Sequence, residues 1–383
     1  MKQIAILTNS VFTCGGEQRV VCILANALSE FHHVTIYTED SPSNQDNPYN
    51  LSSAIQIEYF HPFATNLIIK GFRFLFKLPG FKILRNYPWT WKLTHYNKSI
   101  VYRFKNSLQN KYDTVIAVSD RLSLLLGFTK QAGLQSQTIA WEHNSFESYF
   151  RTKNHRLWKQ ESLFITAAKG FTHCVVLNED YAEKYKKHLG VDCKVIYNPK
   201  SFVSLEKAQL QNKKIICCCV LDIEPKGLDL LINAFALFRK NTKDWKLCII
   251  GDGTDKQKLE QMVKEKNLDS NVEFLGYRKD IRELLLDAAI FVLPSRWEGF
   301  PMSLTEAYEC GLPTVAFDIP ALIPFKQNDA CIVCEPFNVQ EYSNALQKLA
   351  NNFELRKEYA KKAQAFAEQI SIENIINKWI EIL

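Results

Sequence analysis

Two glutamates eight residues apart, Glu298 and Glu306, lie between two short apolar runs, residues 290–293 and 314–317. A carboxylate only accepts hydrogen bonds, so a pair of them suits neighbouring sugar hydroxyls. The apolar runs are long enough for buried parallel strands and too short for helices. Between them, Ser303 and Glu306 fit a capping box and Gly311 can end a helix in the left-handed conformation, which predicts a helix over residues 303–310. A helix that begins just after a strand's carboxyl end turns its unpaired N–H groups and positive dipole end toward the crevice where open α/β sheets bind ligands. This one is expected to face a phosphate. The alternative, a capping residue plus a surface glutamate, leaves the glycine and proline beside Glu298 unexplained.

A second arrangement of this kind opens the chain. Residues 4–7 read as a strand, Gly15 and Gly16 as a turn, and Val20, Val21, Ile23, Leu24, Ala27 and Leu28 recur at helical spacing. Strand, glycine turn and helix start again allow a close approach to phosphate. Neither G-x-G-x-x-G nor G-x-x-x-x-G-K-[ST] occurs there, which removes support for a dinucleotide dehydrogenase or a P-loop ATPase. Further strands are expected at residues 34–38, 55–59, 114–118, 137–141, 174–177 and 193–196. A second series follows at 215–220, 247–250 and 272–275, with a helix at 228–238 and three more at 338–350, 354–368 and 372–382. The alternation is that of an α/β protein with parallel sheets.

At 383 residues, with 46% hydrophobic side chains, the chain suits two domains rather than one core. The net charge of +6 is unevenly spread: between Tyr59 and Tyr112 stand ten Lys or Arg and no Asp or Glu, so the remainder sums to −4. Within that block Lys70, Arg73, Lys77, Lys82 and Arg85 alternate with Phe72, Phe74, Leu75, Phe76, Phe81, Ile83 and Leu84, a composition suited to a membrane interface. Nucleic acid is not expected as a partner, because large aliphatic residues interleave and no nucleic-acid module is present. The bland reading of the block is a solvated basic face over an aromatic core. Eleven cysteines, several inside apolar runs, read as buried free thiols of a reducing compartment, and the lone Cys331-x-x-Cys334 lacks the second pair a zinc site needs. With no signal-peptide core at the start and no run of eighteen apolar residues, the expected location is the cytoplasm, at the inner face of the cytoplasmic membrane.

The segment S-R-W-E-G-F-P-M-S-L-T-E-A, followed by C-G-L-P, resembles the E-x7-E signature of retaining glycosyltransferase family 4. The opening GGEQRVVCILANALSEFHHVTIYT and the E-P-K-G at residues 224–227 are similar to that family as well. The resemblance implies a GT-B fold, α/β, with two Rossmann-like domains whose parallel sheets face each other across a cleft. It implies a first domain at 1–199, acceptor-side, carrying the basic block at about 66–106; a linker at 200–212; and a nucleotide-sugar domain at 213–383, whose last helix, 371–383, crosses back. The implied reaction moves a hexose or N-acetylhexosamine from a nucleotide diphosphate, UDP above others, with retention, to a lipid-linked or oligosaccharide acceptor of surface polysaccharide or lipopolysaccharide assembly.

Roles follow from the resemblance position by position. Lys226 and the helix at Ser303 hold the diphosphate, Glu306 binds the ribose and Glu298 orients the sugar hydroxyls. His143, after the strand at 137–141, reaches donor sugar and acceptor hydroxyl. Gly15 and Gly16 approach the diphosphate, Tyr277 and Arg278 lie on the base side, and Gly299, Phe300, Met302 and Leu304 complete the donor loop. His155, His173 and His188 are read as structural. No D-x-D stands where a metal would be gripped, so no cofactor or metal is expected and cations stabilise the departing phosphate. No second carboxylate offers itself as a covalent nucleophile beside Glu298. One position departs from the pattern: the family's arginine five residues before the lysine is Leu221 here, and Arg19 or Arg278 is the candidate substitute. That departure keeps a non-catalytic sugar-nucleotide binder open, beside a GT-B epimerase of UDP sugars.

Overall fold

The computed structural model describes residues 1–42, 48–64, 67–152 and 157–383, without the side chain of Lys82. His155, and Asn66 at the head of the basic block, fall outside the described residues. The chain forms two compact units, Met1–Pro199 with Ile372–Leu383, and Lys200–Ser371.

The first unit holds β1 (Gln3–Thr8), β2 (His33–Thr38), β3 (Gln56–Tyr59), β4 (Thr114–Val118), β5 (Gln137–Trp141), β6 (His173–Val176) and β7 (Lys194–Val195). They pair in the order β3-β2-β1-β4-β5-β6-β7, all parallel. The middle strands bury nearly every residue, as a parallel sheet covered on both faces requires; β4, T-V-I-A-V, is buried throughout. Strand order reverses between β1 and β4, where Ile4 pairs with Thr114 and Leu7 with Ala117. Such a reversal opens a crevice at the strands' carboxyl ends. The helix Ile372–Ile380 belongs to this unit. Its Trp379 meets Trp141 edge to face at 4.8 Å, and Gln137 donates to the Ile382 carbonyl at 2.6 Å.

The second unit holds β8 (Lys214–Cys218), β9 (Lys246–Ile250), β10 (Val272–Gly276), β11 (Ile290–Leu293), β12 (Thr314–Phe317) and β13 (Ile332–Cys334), parallel in the order β10-β9-β8-β11-β12-β13. The reversal here lies between β8 and β11, with Ile215 opposite Ile290. Residues 200–212 carry no regular element, yet they are anchored: Lys200 donates to the Ile370 carbonyl, and its buried ammonium pairs with Glu309 at 2.7 Å. The strand β13 has no counterpart among the expected elements. It carries Cys334, with Cys331 just before it; both thiols are buried and pushed up to about 12 by that burial, which makes them inert packing groups.

In the basic block, helix Leu67–Leu75 buries none of its side chains, whereas Lys98–Leu108 turns Ile100, Val101, Phe104 and Leu108 inward. Of the described residues, no helix is long and apolar enough to cross a membrane.

Candidate functional site

In the second unit the loops that follow β8 and β11 meet at the strand-order reversal, and they bring together Lys226 and Glu298. The Lys226 Nζ lies 2.7 and 2.9 Å from the two oxygens of Glu298. The cause is local. Asp222 caps the short helix Ile223–Lys226, and Gly227 ends it in the left-handed region at φ +63. A side chain at Gly227 would also strike the Pro294 carbonyl, 2.1 Å from where its Cβ would sit. Glycine therefore lets the lysine loop press on the end of β11. Burial opposes the charge on Lys226, but the Glu298 carboxylate more than offsets it, and the ammonium pKa ends above the ordinary lysine value.

Two further residues fix this pair, and neither was singled out from the sequence. Ser295 donates to Glu298 at 2.7 Å. Arg296 holds Asp229 through both terminal nitrogens at 2.9 and 2.7 Å and donates to the Ile223 carbonyl at 2.7 Å, while its own N–H donates to the Pro225 carbonyl at 2.8 Å. Arg296 thus ties the lysine loop to the glutamate loop. Its only sequence signal was its place directly after Ser295 in the quoted segment.

After Glu298, Gly299 and Phe300 lead into helix Met302–Glu309. The expected capping box is corrected here: Pro301 occupies the N-cap position, the helix starts at Met302, and no side chain caps it. Ser303 therefore lies inside the first turn. Proline's fixed φ is compatible with a helix start, but it has no side-chain oxygen to accept a first-turn N–H as a serine would. The Met302 and Ser303 N–H groups have no intrahelical acceptor, as at any helix start. Leu304 packs in the core, and Glu306 is buried at 3% exposure on the same helix. Gly311 closes the helix at φ +76, as the sequence indicated.

Tyr277 and Arg278 stand on the exposed turn after β10, where Arg278 is held by Asp280 through two N–H groups. Leu221 is fully buried in the hydrophobic core, with Leu228, Leu231 and Leu259 in the same cluster. It fills volume where a cation was expected.

In the first unit, the loop after β1 carries Gly15 and Gly16, and helix Gly16–Ser29 begins there. The Gly15 N–H donates to the Tyr49 hydroxyl at 2.6 Å, which donates back to the Gly15 carbonyl at 3.1 Å, and the Arg19 guanidinium lies 5.4 Å from that ring. Across the reversal, Ser119, at φ +64 after β4, donates to Glu17. His143 follows β5 at 7% exposure, its ring 4.3 Å from that of Trp141. Burial drives its pKa down to about 3, so the imidazole is neutral, and its Nε2 has no hydrogen-bond partner among the described residues. Beside it Glu142 is fully buried and pushed up to about 8 by that burial, with Ser123 and Tyr149 opposing the shift. His173, on β6, and His188 lie elsewhere; His188 stacks on Phe146. Among the described residues, no three His, Cys, Asp or Glu side chains converge as ligands of a metal ion would.

The family model "Glycosyl transferases group 1" matches residues 203–366. An uncharacterised glycosyltransferase of Haemophilus influenzae is 27% identical over the whole of both chains. The poly(ribitol-phosphate) alpha-N-acetylglucosaminyltransferase of Staphylococcus aureus is 30% identical over 58% of this chain, which spans 46% of that protein. The solved structure of S. aureus TarM, with fondaparinux, alpha-GlcNAc-glycerol and UDP, superposes with a TM-score of 0.75 at 18% identity, covering 100% of this chain and 99% of that one. The two parallel-sheet units therefore have a GT-B architecture, and the chain is similar to glycosyltransferases over its whole length.

Proposed function

We propose that the protein transfers a hexose or N-acetylhexosamine from UDP, with retention at the anomeric carbon, to a lipid-linked or glycan acceptor of a bacterial surface polysaccharide or lipopolysaccharide, from the cytoplasmic face of the membrane. The observation that carries this reading is the Lys226–Glu298 contact at the strand-order reversal of the second unit, directly before the start of helix Met302–Glu309. An ammonium and backbone N–H groups there can hold a diphosphate, and they would bind it more tightly as it departs with growing negative charge. Glu298 and Glu306, as acceptors, take sugar and ribose hydroxyls. Tyr277 and Arg278 take the base side, and Gly299, Phe300, Met302, Ser303 and Leu304 form the wall of the donor site. In the first unit, Gly15 and Gly16 approach the phosphates, and the neutral His143 offers a nitrogen to a donor or acceptor hydroxyl. The domain roles follow: 1–199 for the acceptor, 213–383 for the nucleotide sugar. The S. aureus relatives support the donor class, since one is named for alpha-N-acetylglucosamine transfer and the other was solved with UDP.

The buried Leu221 favours a second reading, a sugar-nucleotide binder without turnover. Incubation with a panel of UDP sugars and membrane lipid extracts separates the two. UDP release that requires the extract supports transfer. Interconversion of donors without release means an epimerase, and binding with neither means a binder.

A further inference from the structure

A cavity of about 180 Å³ opens within the basic block of the first unit, lined by Arg73, Phe76, Lys77, Arg85, Trp91 and His95. Its three cations have no counter-charge nearby in the chain, since residues 59–112 contain no Asp or Glu. Among the described residues none of the three forms an ion pair. Gathering like charges without a partner is unfavourable unless an anion joins them. Arg73 donates from three nitrogens to the Thr94 and Phe63 carbonyls, which fixes its guanidinium in the wall and leaves two of its five N–H groups for a ligand. Among the described residues the side chains of Lys77 and Arg85 donate to nothing. His95, held neutral by burial and by the surrounding arginines, adds no competing charge.

The residues that flank these cations in the chain are apolar and exposed: Phe74 at 66%, Ile83 at 63% and Trp89 at 52%, with Leu78 and Phe81 beside them. A site for a dissolved anion has no use for such a border. At a bilayer, by contrast, apolar side chains sink to the acyl boundary while cations beside them meet lipid phosphates. We propose that this cavity binds the phosphate of an anionic membrane lipid, with Phe74, Leu78, Phe81 and Ile83 entering the interface around it. The proposal rests on the membrane attachment in the function proposed above and not on sugar transfer.

The test is vesicle flotation of the full chain at low salt, with phosphatidylcholine alone or mixed with phosphatidic acid. Phosphatidic acid is expected to raise binding, and the double variant Lys77→Gln/Arg85→Gln to lower it roughly thirty-fold, as the loss of two interfacial cations implies. The control Lys98→Gln/Lys111→Gln removes the same charge from exposed positions away from the cavity and is expected to cost only a few-fold. Both variants should keep the wild-type melting temperature. Equal losses in the two variants mean diffuse attraction and overturn the cavity. Competition by inorganic phosphate at the lipid's own affinity overturns the lipid assignment. Wild-type protein that floats with phosphatidylcholine and ignores phosphatidic acid overturns the cavity while leaving attachment standing; failure to float with either overturns both. None of these outcomes depends on UDP release.

Discussion

The ammonium of Lys226 touches both oxygens of Glu298, and Ser295 holds the nearer oxygen from the other side. Cation and carboxylate are thus positioned by each other before any ligand arrives. A diphosphate that binds there has to share the ammonium with the carboxylate, so the two residues should affect ground-state binding in opposite directions.

Lys226→Ala removes a charge-assisted donor worth about 1.5 to 3 kcal/mol and is expected to weaken UDP binding roughly ten- to hundredfold. Glu298→Gln removes the competitor, and UDP binding should stay level or tighten while sugar transfer falls. Titration calorimetry with UDP, paired with a UDP-release assay, checks both. Parallel loss of UDP affinity in the two variants would contradict the shared-ammonium picture.

Arg296 supports the same lysine from behind. Arg296→Leu is expected to loosen the Ile223–Lys226 turn and leave the half-buried Asp229 unpaired, at a cost of about 1 to 3 kcal/mol. Adding Asp229→Asn should recover much of the melting temperature. UDP affinity should stay low in the double variant, because the link from Arg296 to the Ile223 carbonyl is still missing. Recovery of both together would mean that Arg296 acts on stability alone.

How far the sequence disclosed this site follows from which interactions are local. Strand β11 and strand β12 coincide with their expected spans, because each is a short buried apolar run bounded by polar loops. Helix Leu228–Phe238 does too, since Gly227 and the apolar spacing mark it within the chain. The pairing of Lys226 with Glu298 spans seventy-two residues and comes from sheet order, which periodicity cannot reveal. Arg296 and Tyr49 were missed for the same reason: each acts on a partner far along the chain. Strand β13 escaped notice because three residues around cysteines carry little pattern.

Glu309 anchors the opening segment of the second unit. Its side chain is 2% exposed and binds Lys200 at 2.7 Å, Lys207 at 2.9 Å and the Ser204 N–H at 2.7 Å. Glu309→Gln takes one of its two carboxylates from the buried Lys200, with Glu368 left at 3.0 Å, and is expected to cost about 1 to 3 kcal/mol, read as a lower denaturation midpoint. Burial pushes the Glu309 pKa up, but the two lysines and the Ser204 N–H outweigh it and leave the pKa lowered. Its contribution to stability is therefore present above the unfolded-state value of about 4.5 and lost as pH falls through the folded one.

Glu142 works in the opposite sense. Folding raises its pKa from 4.5 to about 8, so the native state binds more protons than the unfolded chain between those values. Its contribution to stability is greatest below about pH 4.5, declines as pH rises toward 8 and is level beyond. Glu142→Gln keeps the shape of the neutral acid and cannot ionise. The variant should therefore match the wild type near pH 5 and exceed it at pH 9. Denaturant unfolding followed across that range is the measurement. A wild-type-minus-variant difference that does not change between pH 5 and pH 9 would mean that Glu142 is not held neutral beside His143.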